Sequence, residues 1–232
     1  MTVITRSESR PAPGQNLGWA IGEATSGDGL PRSSESVLKR GVDVVGAAIG
    51  LVVLFPFLLL VALAIRISTP GAALYRQERV GLDGRPFSIV KFRTMYTDAD
   101  ERLAALKAQG SFAGPLFKLE NDPRVTRVGR FLRKFSIDEL PQLWNVLLGD
   151  MSLVGPRPAL RCEVDAYCPR ALRRLEAVPG MTGAWQVGGR SDLTWEQSLD
   201  LDVGYVDGWS HRVDAKILLA TFRAVVRPVG AY

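Results

Sequence analysis

One long apolar segment dominates the pattern of hydrophobic and polar positions in this chain. Residues 44–65 contain no charged side chain and lie between Asp43 and Arg66. A straight helix over these 22 residues would be about 33 Å long, and the hydrocarbon core of a bilayer is about 30 Å thick. The segment is therefore long enough to cross a membrane as a helix.

A proline near the middle of this segment argues against a simple crossing. Pro56 removes a helical hydrogen bond and leaves two legs of about 18 and 14 Å, each too short to span a bilayer. Basic residues flank the segment on both sides, at Lys39, Arg40 and Arg66, and such residues tend to stay in the cytoplasm. We expect a re-entrant helix over residues 37–72 that kinks at Pro56 and returns. A kinked transmembrane helix is the alternative.

Alternating apolar and polar positions predict a β-hairpin whose strands cover residues 73–80 and 87–95. The Asp-Gly pair at residues 83–84 supplies its turn. In the second strand, Lys91 and Arg93 share one face. That face is either solvated or directed at a phosphate group.

Helical periodicity follows in three segments. Residues 98–109 form a short amphipathic pattern, a second apolar pattern ends near Leu148, and residues 214–226 form a third. Between the first two, Pro123 predicts a turn just before Arg124. The pattern as a whole predicts a mostly helical α+β fold with interfacial amphipathic helices and a small β-hairpin.

Composition limits the chemistry that the chain can support. The 232 residues suit one core, and the net charge of +5 is concentrated in clusters such as residues 76–93 and 124–134. These clusters suit phosphates, anionic lipids or nucleic acid, or they form a solvated basic face. A single histidine, His211, disfavours a histidine-rich metal site and a Ser-His-Asp triad. Residues 1–36 lack an apolar run, so we expect a disordered tail rather than a signal peptide.

The pair Asp138-Glu139 is the strongest candidate for chemistry. Adjacent carboxylates can attack phosphorus, bind Mg²⁺ or transfer a proton. One interpretation makes Glu139 part of a capping box with Ser136, and hence structural. The other places Pro141 in the first helical turn and both carboxylates at the mouth of the helix. There the backbone N–H groups would lower their pKa and keep Asp138 anionic.

Two further loops carry candidate binding groups. In Gly155-Pro156-Arg157-Pro158 the prolines stiffen the backbone around one guanidinium, which favours bidentate phosphate binding or marks an exposed turn. Glycine-rich segments surround Trp185 and Gln186. The tryptophan ring there either stacks on a base or anchors the loop.

These motifs, in this order, resemble the bacterial sugar transferase family, the small monotopic phosphoglycosyl transferases. The resemblance covers residue 37 to the C-terminus. Each piece alone is weak, but the ordered series is specific. The matching pieces are KRGVD (39–43), YRQERVG (75–81), KFRTM (91–95), DPRVT (122–126), SIDELPQ (136–142), DMSLVGPRP (150–158) and PGMTG (179–183).

The resemblance implies transfer of a sugar 1-phosphate from a UDP-sugar to polyprenyl phosphate, with release of UMP. It implies that Asp138 is the nucleophile of a phosphosugar-enzyme intermediate, with Mg²⁺ bound at Asp138 and Glu139 as the supporting acid/base. It also implies that Arg157 contacts phosphate. We further predict substrate contacts for Lys91, Arg93, Arg124, Gln186 and Arg190.

This interpretation places a catalytic domain, residues 73–232, on the cytoplasmic face of a bacterial inner membrane. The expected partners are a UDP-sugar, polyprenyl phosphate and membrane lipids. A homo-oligomer is compatible with the sequence, and no nucleic acid is expected. The competing hypotheses are a catalytically inactive membrane scaffold of the same fold and a protein that binds anionic lipid or nucleic acid.

The sequence departs from the family pattern in two places. Phe55 stands where a serine commonly precedes the kink proline. Residues 185–190 read Trp-Gln-Val-Gly-Gly-Arg instead of the common Ala-Gln-Val-Asn-Gly-Arg. The extra N-terminal membrane domain of some members is not found in this sequence, so we expect a minimal form.

Overall fold

The computed structural model of the protein describes residues 33–108, 122–189 and 193–226. Over these residues one long apolar helix joins a small α+β body, so the predicted mostly helical α+β fold is confirmed at this level. The elements are α1 (Val37–Ser68), β1 (Leu74–Val80), β2 (Pro86–Phe92), α2 (Ala99–Ala108), α3 (Arg127–Lys134), α4 (Leu143–Leu148), β3 (Ser152–Val154), α5 (Arg161–Val164), α6 (Pro169–Leu172), β4 (Gly180–Thr182), α7 (Ala184–Gly188), α8 (Trp195–Asp207) and α9 (His211–Val226).

The described chain starts within the segment predicted to be a disordered tail. Residues 1–32 lie outside the described residues. Ser33–Glu35 forms a short 3-10 helix, and Ser36 caps α1 by accepting a hydrogen bond from the Lys39 backbone N–H. The described residues therefore begin a few positions before the predicted boundary at residue 36.

Helix α1 is a single element of 32 residues with Pro56 in its interior. Within the described part of the chain it is the one helix long and apolar enough to cross a membrane. Only 11% of its most apolar 18-residue window is buried in the protein. An apolar helix that leaves most of its surface uncovered by protein is suited to lipid contact.

The first half of α1 is held on the body by buried charges as well as by apolar packing. Ala47 packs against Leu143 of α4. The Lys39 ammonium forms an ion pair with Asp214 of α9, at 2.7 Å between Nζ and Oδ2. It also donates to the Val154 carbonyl at 3.0 Å. Since Lys39 is only 5% exposed, this end of the helix is fixed against β3 and α9.

The last turns of α1 dock onto the same body. Val61 and Ile65 pack against Phe92 of the hairpin and Leu132 of α3. The Arg93 guanidinium donates to two backbone carbonyls just beyond the helix, at 2.7 and 3.1 Å. Both ends of the apolar helix therefore contact one folded body.

The predicted hairpin is confirmed, with β1 and β2 pairing antiparallel and Tyr75 opposite Lys91. Asp83 has a left-handed φ of 53° in the turn, which aspartate tolerates better than most residues. The second strand ends at Phe92, earlier than predicted. Arg93 leaves the strand there because its side chain folds back onto the end of α1.

A second sheet, which the sequence pattern does not predict, pairs β3 with β4 in parallel. Ser152 lies opposite Gly180, and each strand has only three residues. Such strands are too short to produce a period-two signal. The backbones approach closely after β3, because a Cβ atom on Gly155 would lie 2.3 Å from the Val178 carbonyl oxygen.

Helices α8 and α9 close a core over this sheet. Tyr205 and Trp209 pack with Val154, Val213 and Ile217. The Tyr205 hydroxyl donates to the Val154 carbonyl at 3.1 Å. This packing fixes the end of β3, from which the loop carrying the predicted phosphate-binding arginine departs.

Large apolar side chains stay exposed on other helices of the body. Phe131 of α3 and both Trp144 and Leu148 of α4 are at least half exposed. Helices α3 and α4 each pack against α1. Apolar side chains exposed next to an apolar helix are typical of helices at a membrane interface.

Candidate active site

Asp138 and Glu139 lie in a 3-10 helix, Ile137–Gln142, between α3 and α4. Ser136 turns the chain out of α3 with a left-handed φ of 54° and makes no side-chain capping bond. The capping-box interpretation of Ser136 is therefore wrong. Pro141 has no N–H to donate, so the chain forms i→i−3 bonds before α4 begins at Leu143.

The hairpin places a cation directly against this carboxylate pair. Strand β2 packs on the 3-10 helix, and the Lys91 ammonium pairs with Glu139 at 2.8 Å between Nζ and Oε1. The two side chains are 21% and 40% exposed, so the ion pair is accessible to solvent rather than enclosed in the core. Substrate binding by Lys91, which the sequence analysis expects, stays a prediction.

The pKa of Asp138 is raised to about 6. Burial is the main cause, and the negative charge of Glu139 adds to it. The positive charges of Lys91 and Arg133 oppose the rise but do not cancel it. The prediction that the helix mouth would lower this pKa is wrong, because desolvation and the adjacent carboxylate outweigh the backbone dipoles.

The pKa of Glu139 moves in the opposite direction. Burial raises it, but the charge of Lys91 and its hydrogen bond, together with the charge of Arg157, bring it below its usual value. Glu139 is therefore anionic at neutral pH, and Asp138 is the more basic of the two carboxylates. Two adjacent carboxylates with separated pKa values are suited to different roles in one reaction.

Two further arginines surround the pair, although the sequence indicated them only as members of basic clusters. Arg133 donates from Nε to the Thr94 hydroxyl at 2.9 Å, and its charge acts on Asp138. Arg79 is buried and donates to the Pro158 carbonyl at 3.2 Å. Burial and the neighbouring Arg157 lower the Arg79 pKa. The approach of these two arginines to the carboxylate pair depends on the tertiary structure. No local sequence signal marks either arginine.

Arg157 projects from the predicted loop into the same region. Its backbone lies between two buried prolines while its side chain is exposed. The guanidinium lies over the Trp185 ring, 5.3 Å from the ring centre. Trp185 therefore contacts Arg157, and the ring face that the sequence offered for a base is used to hold a cation.

A buried network that the sequence analysis missed supports this loop from below. Arg174 donates to Asp202 at 2.9 Å and to the Arg157 carbonyl at 3.3 Å. It also donates to the Tyr167 hydroxyl. Burial raises the pKa of Asp202 to about 6 even though Arg174 opposes the rise. The network fixes the backbone that presents Arg157.

The remaining predicted binding residues lie apart from this cluster or outside the described chain. Arg93 binds the end of α1, as described above, and Arg124 pairs with Asp122 at 2.7 Å, in a position only 8% exposed. Gln186 lies on α7, next to the tryptophan that holds Arg157. Arg190 lies outside the described residues. Substrate contacts of these four residues stay predictions.

The carboxylate pair can be compared with the donor sets that divalent cations use in proteins. The described residues contain no group of three or more His, Cys, Asp or Glu side chains arranged to hold a metal. Mg²⁺, however, is commonly bound by one or two carboxylates together with substrate phosphates and water. Asp138 and Glu139 supply that number of carboxylates next to Lys91. Binding of Mg²⁺ by them stays a prediction.

These features together define a class of protein. A small α+β body packs against an apolar helix that is suited to lipid contact, and the body carries a carboxylate pair among lysine and arginine side chains. Residues 34–228 match the family described as bacterial sugar transferase. The chain belongs to this family, as its ordered motifs predicted.

Curated relatives agree with this assignment. The chain is 44% identical to the undecaprenyl-phosphate galactose phosphotransferase of Salmonella typhimurium over 88% of its own length and 43% of the relative's. It is 44% identical to the UDP-glucose:undecaprenyl-phosphate glucose-1-phosphate transferase of Caulobacter vibrioides, over 89% of this chain and 76% of that one. It is 38% identical to the exopolysaccharide production protein ExoY of Rhizobium meliloti over 100% of both chains. The chain spans less than half the length of several relatives that it matches.

Proposed function

We propose that this protein transfers a sugar 1-phosphate from a UDP-sugar to polyprenyl phosphate and releases UMP, through a covalent phosphosugar intermediate on Asp138. The observation that carries the proposal is the Asp138-Glu139 pair, held against Lys91 at 2.8 Å and flanked by Arg133 and Arg157. The names of the relatives, which specify sugar phosphate transfer to undecaprenyl phosphate, support the same donor and acceptor classes.

In the first step a carboxylate oxygen of Asp138 attacks the phosphorus that carries the sugar. The bond from this phosphorus to the bridging oxygen breaks, and that oxygen leaves with UMP. Asp138 is suited to the role because its raised pKa leaves it mostly ionised at neutral pH, yet more basic than an ordinary carboxylate. Arg157 and Lys91 would neutralise the charge that gathers on the diphosphate.

In the second step a phosphate oxygen of the polyprenyl acceptor attacks the same phosphorus. The bond between phosphorus and Asp138 breaks, which frees the carboxylate and forms the polyprenyl diphosphate sugar. Glu139 is anionic in the resting site and would accept a proton from the incoming acceptor phosphate. Mg²⁺, held by Asp138 beside Glu139, would supply charge neutralisation at the phosphates.

We propose that α1 is re-entrant, with both ends on the cytoplasmic face of the bacterial inner membrane. The proposal is supported by the contacts of both ends with the same body, through Lys39 at the start and Ile65 near the end. A straight crossing would separate these ends by a bilayer. Pro56 lies between them, where the loss of a helical hydrogen bond permits a bend.

This geometry would place the site where the acceptor presents its phosphate. A polyprenyl tail lies in the hydrocarbon, so its phosphate stays at headgroup depth. The body that carries Asp138 contacts α1 at both of its ends. The product would be the first membrane-bound intermediate of exopolysaccharide or glycoconjugate synthesis, in agreement with the exopolysaccharide role named for one relative.

Substitution of Asp138 by asparagine tests the covalent step. Asp138→Asn keeps the shape of the side chain and removes the nucleophilic charge, so UMP release should fall by at least about 1,000-fold. Labelling of the protein by a radioactive UDP-sugar without acceptor should disappear as well. Asp83→Asn is the matched control, because Asp83 lies exposed in the hairpin turn and asparagine tolerates its left-handed backbone. Near-normal turnover in Asp138→Asn would refute the covalent mechanism.

A further inference from the structure

We propose that the exposed face of α3 binds the anionic headgroups of membrane lipids and so sets the depth of the active site at the bilayer surface. Arg127, Arg130, Phe131 and Lys134 occupy positions i, i+3, i+4 and i+7 of this helix, which lie on one helical face. All four side chains are exposed, and Phe131 is 57% exposed. A face of cations around one aromatic side chain is the composition of helices that lie in anionic bilayer surfaces.

The three cations of this face differ from other exposed arginines of the protein. None of the three forms an ion pair with a carboxylate within the described residues, and Lys134 lies instead over the Phe135 ring, 5.8 Å from its centre. By contrast, three exposed arginines on or next to the short helices α5 and α6 are each paired with Asp or Glu: Arg161, Arg170 and Arg173. The α3 face therefore presents positive charge that no described carboxylate compensates.

The position of α3 identifies the partner. Leu132, on the buried face, packs against Val61 and Ile65 in the last turns of α1. Arg66, the residue directly after Ile65, is exposed. Its charge marks the point where α1 would leave the hydrocarbon core of the membrane. The cationic face of α3 would therefore lie at headgroup depth, where anionic lipid phosphates are concentrated. An acidic protein partner would not explain the exposed Phe131 beside an apolar helix.

Lipid binding by α3 would act directly on the geometry of the site. Helix α3 ends at Lys134, and the chain turns at Ser136 into the 3-10 helix that carries Asp138. Gly129 allows α3 to sit against the hairpin, since a Cβ atom there would lie 2.0 Å from the Thr94 carbonyl oxygen. A headgroup contact on α3 would therefore fix the height of Asp138 relative to the acceptor phosphate.

Binding of short-chain lipids to the purified full-length protein tests this surface. The inference rests on the proposed membrane placement of α1 but not on the transfer reaction, so the assay uses the Asp138→Asn protein in detergent. Affinity is measured for dihexanoyl phosphatidylglycerol and for dihexanoyl phosphatidylcholine. We expect a preference for the anionic lipid of about 5-fold for each cation of the face, or roughly 100-fold in total.

The triple variant Arg127→Gln, Arg130→Gln and Lys134→Gln should lose most of this preference. The control variant Arg161→Gln, Arg170→Gln and Arg173→Gln removes the same net charge elsewhere and should keep it. Circular dichroism and size-exclusion chromatography check that both variants fold.

Three outcomes would overturn the inference. The first is equal affinity for the two lipids in the parent protein. The second is an equal loss of preference in both triple variants, which would mean that net charge alone attracts the lipid. The third is displacement of the lipid by millimolar inorganic phosphate, which would indicate a discrete anion site. None of these depends on turnover, so failure of the transfer mechanism and failure of lipid binding are distinguishable.

Discussion

At the scale of single residues, the candidate site contains two carboxylates that share one short 3-10 helix but differ in acidity. Asp138 is held near a pKa of 6 by burial and by its neighbour's charge, whereas Glu139 is kept acidic by Lys91 and Arg157. A carboxylate with a raised pKa is a stronger nucleophile than an ordinary one, and at neutral pH it is still roughly 90% ionised. In the proposed mechanism the adjacent anion would therefore increase the reactivity of Asp138 without neutralising it.

The pH dependence of the reaction should report this arrangement. In the proposed mechanism the ionised form of Asp138 is the nucleophile, so kcat/KM should fall about tenfold per unit as the pH drops below the Asp138 pKa, which is about 6. Glu139→Gln removes an anion that raises this pKa, and the acidic limb should move to lower pH in that variant. The measurement is a profile of UMP release against pH for both proteins.

Asp202 supplies the control for this profile because its pKa is also raised to about 6. It lies behind the Arg157 loop rather than beside Asp138, and Glu139 is not among the charges that act on it. A limb that stays in place in Glu139→Gln but shifts in Asp202→Asn would assign the titration to Asp202. The assignment to Asp138 would then be wrong.

The contact between Trp185 and Arg157 should be measurable as a coupling between the effects of substituting these two residues on kcat/KM. Arg157→Ala would remove the proposed charge-assisted contact with the donor diphosphate and should lower kcat/KM by roughly 10- to 150-fold. Trp185→Leu removes only the ring under the guanidinium and should lower kcat/KM by about 3- to 30-fold. In the Arg157→Ala background the second substitution should have almost no further effect.

Trp195→Leu is a useful comparison, since Trp195 contacts the Arg174 and Tyr167 side chains of the network beneath the loop rather than the Arg157 guanidinium. Its effect on kcat/KM should be less completely removed in the Arg157→Ala background than that of Trp185→Leu. Additive losses for Trp185→Leu and Arg157→Ala would show that Trp185 acts independently of the arginine. Trp185→Phe keeps an aromatic face and should recover most of the activity.

At the scale of elements, α1 is joined to the catalytic body by a buried charge. Lys39 contacts Asp214 and the Val154 carbonyl, and Val154 ends the strand that leads into the Arg157 loop. Lys39→Met leaves Asp214 without its cation, and removal of one partner of a buried pair typically costs about 3–5 kcal/mol. The free energy of unfolding, measured by denaturant titration in detergent, should fall by that amount.

Arg212→Met is the control for this loss, because Arg212 is an exposed cation on the same helix as Asp214. Its substitution should change the free energy of unfolding by less than about 0.5 kcal/mol. An equally small change in Lys39→Met would mean that the apolar packing of α1 holds the helix without the ion pair.

The elements also differ in how far local sequence predicts them. The hairpin and α1 follow from patterns within consecutive residues, namely alternation around an Asp-Gly turn and a long uncharged run. The pairing of β3 with β4 joins Ser152 to Gly180, and three-residue strands have no periodicity to detect. The 3-10 helix before α4 was also missed, because Ser136 matches a capping residue in sequence yet adopts a left-handed backbone.

At the scale of the whole molecule, the main prediction concerns the topology of α1. In a protein with the two native cysteines, Cys162 and Cys168, replaced by serine, single cysteines at positions 36 and 73 should both react from the cytoplasmic side. A membrane-impermeant thiol reagent, applied to intact and to opened cells, measures this. The expectation follows from the docking of both helix ends onto one body.

Replacement of the central proline extends this test. Pro56→Leu restores the helical hydrogen bond that proline removes and favours a straight helix of spanning length. Part of the population should then place position 73 outside, while the charges at Lys39, Arg40 and Arg66 oppose full inversion. Labelling of positions 36 and 73 from opposite sides in the parent sequence would rule out the re-entrant arrangement.

The sequence by itself determined the family, through an ordered series of motifs along the chain. It also determined the apolar helix, the hairpin and the Asp138-Glu139 pair, because each of these depends on residues close together in the chain. Only the tertiary structure decided which cations meet that pair. Lys91 reaches Glu139 across 48 positions, and Arg133 and Arg79 approach the site while Arg93 and Arg124 bind elsewhere. The tertiary structure also decided that the pKa of Asp138 is raised rather than lowered. The direction of this shift depends on burial and on the charges that long-range packing brings together.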